Sequence, residues 1–159
     1  MKSRILRVYA DTSVFCGICD EEFEQASRAF FRQVQSGRFR LVTSVVVQNE
    51  IESAPAQVQE LFEKILGIAG IVNLTESVLQ LQQAYLDAAI VTPTLAIDAL
   101  HVAMATVSEC SAIVSWDFKH IVHFKKIRLY NAINLLEGYS QIAIYSPLQV
   151  IPYEDEQEI

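Results

Sequence analysis

Residues 112–117 read AIVSWD: an apolar run that closes on an acid. A short apolar run bounded by polar residues reads as a strand. The opening of the chain repeats the pattern. ILRVYA, residues 5–10, alternates weakly, is rich in β-branched and aromatic residues, and predicts a strand from about Arg4 to Ala10; Asp11 follows it directly. Two strands that each end in an aspartate, one near each end of the chain, frame everything between them.

Working inward, DEEFEQASRAFFRQVQSG (20–37) carries Phe23, Ala26, Phe30 and Val34 at helical spacing, with acids in its first turn and Gly37 as its stop. FRLVTS (39–44) is a second short strand. SVVVQNEIESA (44–54) starts a helix capped by Ser44. Pro55 breaks it and opens PAQVQELFEKILG (55–67), with proline in the tolerated first turn. IVNL (71–74) is a short extended link. TESVLQLQQAYLDAAIV (75–91) is a helix capped by Thr75 or Ser77. Pro93 ends the connection to a further helix, TLAIDALHVAMATVSE (94–109). KKIRLYNAINLLEGY (125–139) is helical up to Gly138, and QIAIYSP (141–147) is a last strand closed by Pro147. Strands alternating with helices predict an α/β fold with a largely parallel sheet.

Composition bounds the function. The chain has 159 residues, 52% hydrophobic, with a mean hydropathy of +0.26. That length buries a full core without disulfide or metal staples. The apolar excess assigns part of the surface to a protein–protein interface. A net charge of −7 argues against a general nucleic-acid coat protein. The stretch Lys119 to Arg128 departs from that balance, with Lys119, Lys125, Lys126, Arg128, His120 and His123 and no acid. No segment reads as a membrane span or a signal peptide, so the cytoplasm is expected. Three cysteines make no disulfide framework. Cys16 and Cys19 form C-G-I-C, but zinc would need two further ligands. A redox role is disfavoured because Asp20, Glu21 and Glu22 follow at once and raise a thiol pKa. These cysteines are expected as part-buried thiols near the end of a strand.

Four acids share an unusual setting. Asp11 and Asp117 follow strands, Glu50 sits in VVVQNEI, and Asp98 interrupts the apolar helix LAIDALHVAMATV. Carboxyl ends of parallel strands open into the crevice where α/β proteins bind ligands. Glu50 and Asp98 lie in helices that can face the same crevice. An ionised carboxylate in apolar surroundings must be paired, protonated or bound to metal. No Lys or Arg lies within ten positions of Asp98. A hard divalent cation, which takes oxygen ligands, accounts for the set. Taken singly, each acid also reads as a cap or turn residue. A phosphoacceptor role for Asp11 would leave the Glu50 and Asp98 helices unexplained.

The pieces YADTSVF, VQNEI, LAIDALHVAMAT and IVSWDFKHI together resemble the PIN-domain ribonucleases, and especially the VapC-like toxins of type II toxin–antitoxin modules. The resemblance covers nearly the whole chain. It implies a PIN-like domain over 1–150, with a central, mostly parallel sheet of about four to five strands flanked by helices. An acidic tail would follow over 151–159. It implies an Mg2+- or Mn2+-dependent endoribonuclease whose metal site is Asp11, Glu50, Asp98 and Asp117. Thr12, Ser13 and Ser115 match hydroxyl positions that contact the acids or the substrate. His101, three positions after Asp98, shares its helix face and can orient its carboxylate; it also reads as a core histidine. A subgroup with W-[ND]-F-K-H-I often has Asn in place of the fourth acid, where this chain has Asp117.

The implied partners are an RNA substrate, a cognate antitoxin and a second copy of the chain, with no membrane. Lys119, His120, Lys125, Lys126 and Arg128 are candidates for holding RNA phosphates, or else a solvated helix face. Trp116 reads as a core residue before a base-stacking one. The alternative reading is a catalytically weak PIN-like interaction module, or a housekeeping RNA-processing nuclease.

Overall fold

The computed structural model describes residues 5–152. Strand β1, Leu6–Ala10, is the middle of the molecule: Val8, Tyr9 and Ala10 are buried to 2% or less. A strand covered on both faces tolerates only such an unbroken apolar stretch. A short helix α1, Thr12–Cys16, and a 3-10 turn, Gly17–Cys19, lead into helix α2, Glu24–Gln35. Strand β2, Phe39–Ser44, runs directly into α3, Val45–Ile51. Then come α4, Ala56–Leu66, strand β3, Gly70–Val72, and α5, Glu76–Asp87. A 3-10 turn, Pro93–Leu95, opens α6, Ala96–Val107. Strand β4, Ala112–Val114, helix α7, Phe124–Leu136, strand β5, Ala143–Tyr145, and helix α8, Pro147–Val150, complete the described chain.

The sheet has the order β3-β2-β1-β4-β5, and every pair is parallel. The chain builds outward from β1 through β2 to β3, then crosses back to add β4 on the other side. That reversal between β1 and β4 is the topological switch point, where the crevice of such sheets opens. Asp11 and Ser115–Asp117 leave the two strands at that crevice.

The α/β class and the parallel sheet agree with the sequence reading, as do the caps. Ser44 Oγ accepts from Val47 N and Thr75 Oγ1 from Val78 N. Several elements differ. Gly70–Val72, expected as part of a linker, is strand β3, with Val42 opposite Gly70 and Ser44 opposite Val72. Cys16 and Cys19 end a helix and a 3-10 turn rather than a strand. Burial raises the Cys16 thiol pKa further, against a redox role. Helix α2 starts at Glu24, because Asp20 makes a turn whose side chain accepts from Glu22 N. Pro55 sits at the cap of α4, one place before its first turn. Pro147 opens α8 rather than merely closing β5. Arg4 and the acidic segment from Tyr153 to Ile159 lie outside the described residues.

Trp116 is core. Its ring stacks on Phe23 at 4.1 Å between centroids, and its Nε1 donates to Ser27 Oγ at 2.8 Å. Gly17 passes so close to this pair that a Cβ there would stand 2.5 Å from Ser27 Oγ and 2.8 Å from Trp116 Nε1.

Candidate metal centre

Asp11 is 4% exposed, at the end of the central strand. Its backbone occupies the cap position of α1, but its carboxylate turns inward instead of capping. Oδ1 accepts from Ser13 Oγ at 2.5 Å and Oδ2 from Ser115 Oγ at 2.6 Å. Burial raises its pKa; the field of His101 and the two serine hydroxyls oppose that rise. Ser115 Oγ also accepts from Asp117 N at 2.9 Å, so one hydroxyl joins the first acid to the last.

Glu50, on α3, is held from two sides. Thr12 Oγ1 donates to its Oε1 at 2.6 Å, and His101 Nε2 lies 2.8 Å from the same oxygen. A carboxylate only accepts, so Nε2 carries the proton. Nδ1 on the other side of the ring shares a hydrogen bond with Tyr9 Oη, 2.8 Å away, and Tyr9 Oη shares another with Ser44 Oγ at 2.8 Å. The run Ser44–Tyr9–His101–Glu50 ties β2, β1, α6 and α3 together. Burial pushes the Glu50 pKa up, but the hydrogen bonds from His101 and Thr12 outweigh it and hold the carboxyl below its ordinary value. His101, 3% exposed, therefore orients Glu50 rather than its helix neighbour Asp98.

Asp98, in the first turn of α6, faces Asp117 and His120. His120 Nδ1 lies 3.3 Å from Asp98 Oδ2 and 3.3 Å from Asp117 Oδ1. One ligand atom from each of these three residues lies within 4.8 Å of the other two; among the described residues no other such trio occurs. Asp117 accepts at Oδ1 from Lys119 N and His120 N, which folds residues 117–120 into a turn. Burial, then the negative charge of Asp117, pushes the Asp98 pKa up to about 6. His101 acts through its field on Asp11, Glu50 and Asp98 alike, which makes it a shared neighbour of three acids.

Among the described residues, no Lys or Arg nitrogen lies within 4 Å of any of the four carboxylates. Carboxylates that crowd without a permanent cation suit a divalent ion by their donor chemistry. The sequence reading gives Tyr9 and Ser44 no role at the site: Tyr9 only opens YADTSVF, and Ser44 reads as a helix cap. It also grouped His120 with the phosphate-facing bases, whereas the ring turns in toward the acids. The i, i+3 spacing of Asp117 and His120 across a capped turn was the available signal. Of the basic stretch, Lys119, Lys125 and Arg128 are exposed, while Lys126 Nζ donates to the Ile90 carbonyl beyond the end of α5. No helix of the described residues is long and apolar enough to cross a membrane.

No protein-family model matches the sequence, and no curated protein matches it. Solved structures do match the fold. The chain is similar to VapBC2 from Rickettsia felis, solved bound to a DNA fragment from their promoter. That match has 11% identity, covers 89% of this chain and 98% of that one, and gives a TM-score of 0.58. It is also similar to VapC20 from Mycobacterium tuberculosis, described as a sarcin–ricin loop cleaving toxin. There the identity is 12%, the coverage 86% of this chain and 98% of that one, and the TM-score 0.55. At these identities the likeness is one of fold. The chain has the VapC-like PIN fold that its motifs resemble.

Proposed function

We propose that this chain is a divalent-metal-dependent endoribonuclease that hydrolyses phosphodiester bonds of single-stranded or structured RNA, and that it is the toxin of a type II toxin–antitoxin pair. One observation carries the reading. Asp11, Glu50, Asp98 and Asp117 come from four separate segments of a VapC-like fold, are linked to one another through Ser115, His101 and His120, and have no Lys or Arg partner within 4 Å among the described residues. The likeness to VapBC2 supports an antitoxin partner, and the likeness to a loop-cleaving VapC toxin supports RNA as substrate.

In this reading Asp98 and Asp117 are the open ligands of Mg2+ or Mn2+, and Asp11 and Glu50 flank them. An ion bound there lowers the pKa of water and offsets phosphate charge. The residues of the chain do the rest. Ser13 and Ser115 fix both oxygens of Asp11. Thr12 and His101 hold Glu50 through Oε1, and no donor among the described residues engages Oε2. That free oxygen is the position from which Glu50 orients a water or accepts its proton. Lys119, Lys125 and Arg128 lie on the solvent side and meet flanking phosphates. Phe124 and Leu136, each 78% exposed on α7, suit a second copy of the chain or the antitoxin.

The test is cleavage of an RNA substrate with and without Mn2+, comparing the parent with the Asp11→Asn, Asp98→Asn double variant. Loss of metal-dependent cleavage in a folded variant supports the reading. Equal cleavage by parent and variant means that these acids are not the site; no cleavage by the parent favours the PIN-like interaction module.

A further inference from the structure

We infer that His120 supplies an imidazole nitrogen to the ion held by Asp98 and Asp117, so that the site takes a first-row transition ion, manganese first, in preference to magnesium. This rests on the reading that the acids hold a metal, and it names which metal.

The geometry has three parts. His120 Nδ1 stands 3.3 Å from Asp98 Oδ2 and 3.3 Å from both oxygens of Asp117, with a hydrogen bond to Asp117 Oδ2. A nitrogen devoted to one carboxylate comes closer, as His101 Nε2 does to Glu50 at 2.8 Å. The nitrogen is thus shared between the two acids, where an ion that they hold can take it as a ligand in place of its proton. Neighbouring ligands of an octahedral ion with bonds of about 2.1 Å stand roughly 3 Å apart, which is close to this spacing.

The backbone that carries the ring is also preset. His120 N donates to Asp117 Oδ1 at 2.9 Å, and its carbonyl accepts from Tyr130 Oη, also at 2.9 Å. Val122 N closes the turn on the Asp117 carbonyl at 2.8 Å. The His120 backbone is thus fixed relative to Asp117 by contacts independent of any ligand. Tyr130 is fully buried, so the clamp is anchored in the core. The imidazole itself is 27% exposed, which leaves an ion access from solvent.

Donor chemistry then sets the preference. Magnesium demands oxygen ligands and keeps its waters. Imidazole is a softer donor that first-row transition ions accept far more readily. One nitrogen among carboxylates tilts the site away from magnesium.

The experiment loads the full-length protein with one equivalent of Mn2+ and records electron spin-echo modulation, which detects a directly bound 14N nucleus. The expected result is 14N modulation of the imidazole type in the parent and its loss in His120→Gln. In the same variant the Kd for Mn2+, measured by calorimetry, should rise about 10- to 100-fold, with little change in Mg2+ binding. Circular dichroism checks that the variant is folded; the parent spectrum alone decides if it is not. A parent that binds Mn2+ through Asp98 without 14N modulation overturns the inference and leaves the metal reading intact. Modulation that survives in His120→Gln also overturns it. A parent that binds no Mn2+ overturns both.

Discussion

His101 Nε2 lies 2.8 Å from Glu50 Oε1, across 51 positions of sequence. The contact joins α6 to α3 over the end of β1, and Tyr9 holds the far side of the ring. Groups that orient a ligand from behind typically contribute 10- to 100-fold in metal affinity or activity. His101→Gln should therefore lower kcat on an RNA oligonucleotide by about tenfold or more, with KM little changed. Tyr9→Phe should do the same more weakly, because the ring stays but its Nδ1 contact is lost. Steady-state kinetics with a melting curve for each variant checks both.

Asp98 gives a pH dependence with a definite sign. Its carboxyl titrates at about 6 in the folded chain against an ordinary 3.8. The folded state therefore favours the protonated form. The stability it contributes is complete below pH 3.8 and lost as pH rises through about 6. In chelator, Asp98→Asn should be more stable than the parent at pH 8, by something of order 1 kcal/mol. The two should converge near pH 4. Saturating Mn2+ should reverse the order at pH 8, since only the parent gains from the ion. Urea unfolding at the two pH values, with and without metal, reads all of this.

Gly17 carries a packing prediction. A methyl there would press on Ser27 Oγ and Trp116 Nε1, both buried. Gly17→Ala should destabilise by about 1–3 kcal/mol, the usual cost of overpacking. A shift of the urea midpoint without a change in slope is the expected signature.

The basic stretch separates by role. Replacing Lys119, Lys125 and Arg128 with Ala should weaken RNA binding and flatten its salt dependence by about two units of log–log slope, at roughly 0.7 per phosphate contact. Lys126→Met should leave that slope alone and cost about 1 kcal/mol of stability, because its ammonium satisfies the Ile90 carbonyl. Fluorescence anisotropy across a salt series distinguishes the two.

The acids and the parallel sheet were legible because each leaves a local mark. Asp11 and Asp117 follow apolar strands, and Asp98 breaks an apolar helix. Ser44 and Thr75 announce their helices by cap chemistry. What escaped leaves no such mark. Strand β3 has three residues and pairs only with β2, too short for any periodicity. Helix α1 is TSVFC, built of residues that favour a helix weakly; burial of Val14 and Phe15 holds it. Helix spacing offered Asp98 as the partner of His101, because periodicity sees only residues on its own element. Glu50 arrives by tertiary packing.

Strand β4 lies beside β1 in the sheet, yet about a hundred residues of chain separate them. Ser115, which closes over Asp11, and Asp117, which faces Asp98, are both carried just beyond that strand. A chain still growing on the ribosome thus holds Asp11 and Glu50 long before Asp117 can join them. A product that stops ahead of Ser115 lacks both the hydroxyl that closes over Asp11 and the acid that faces Asp98.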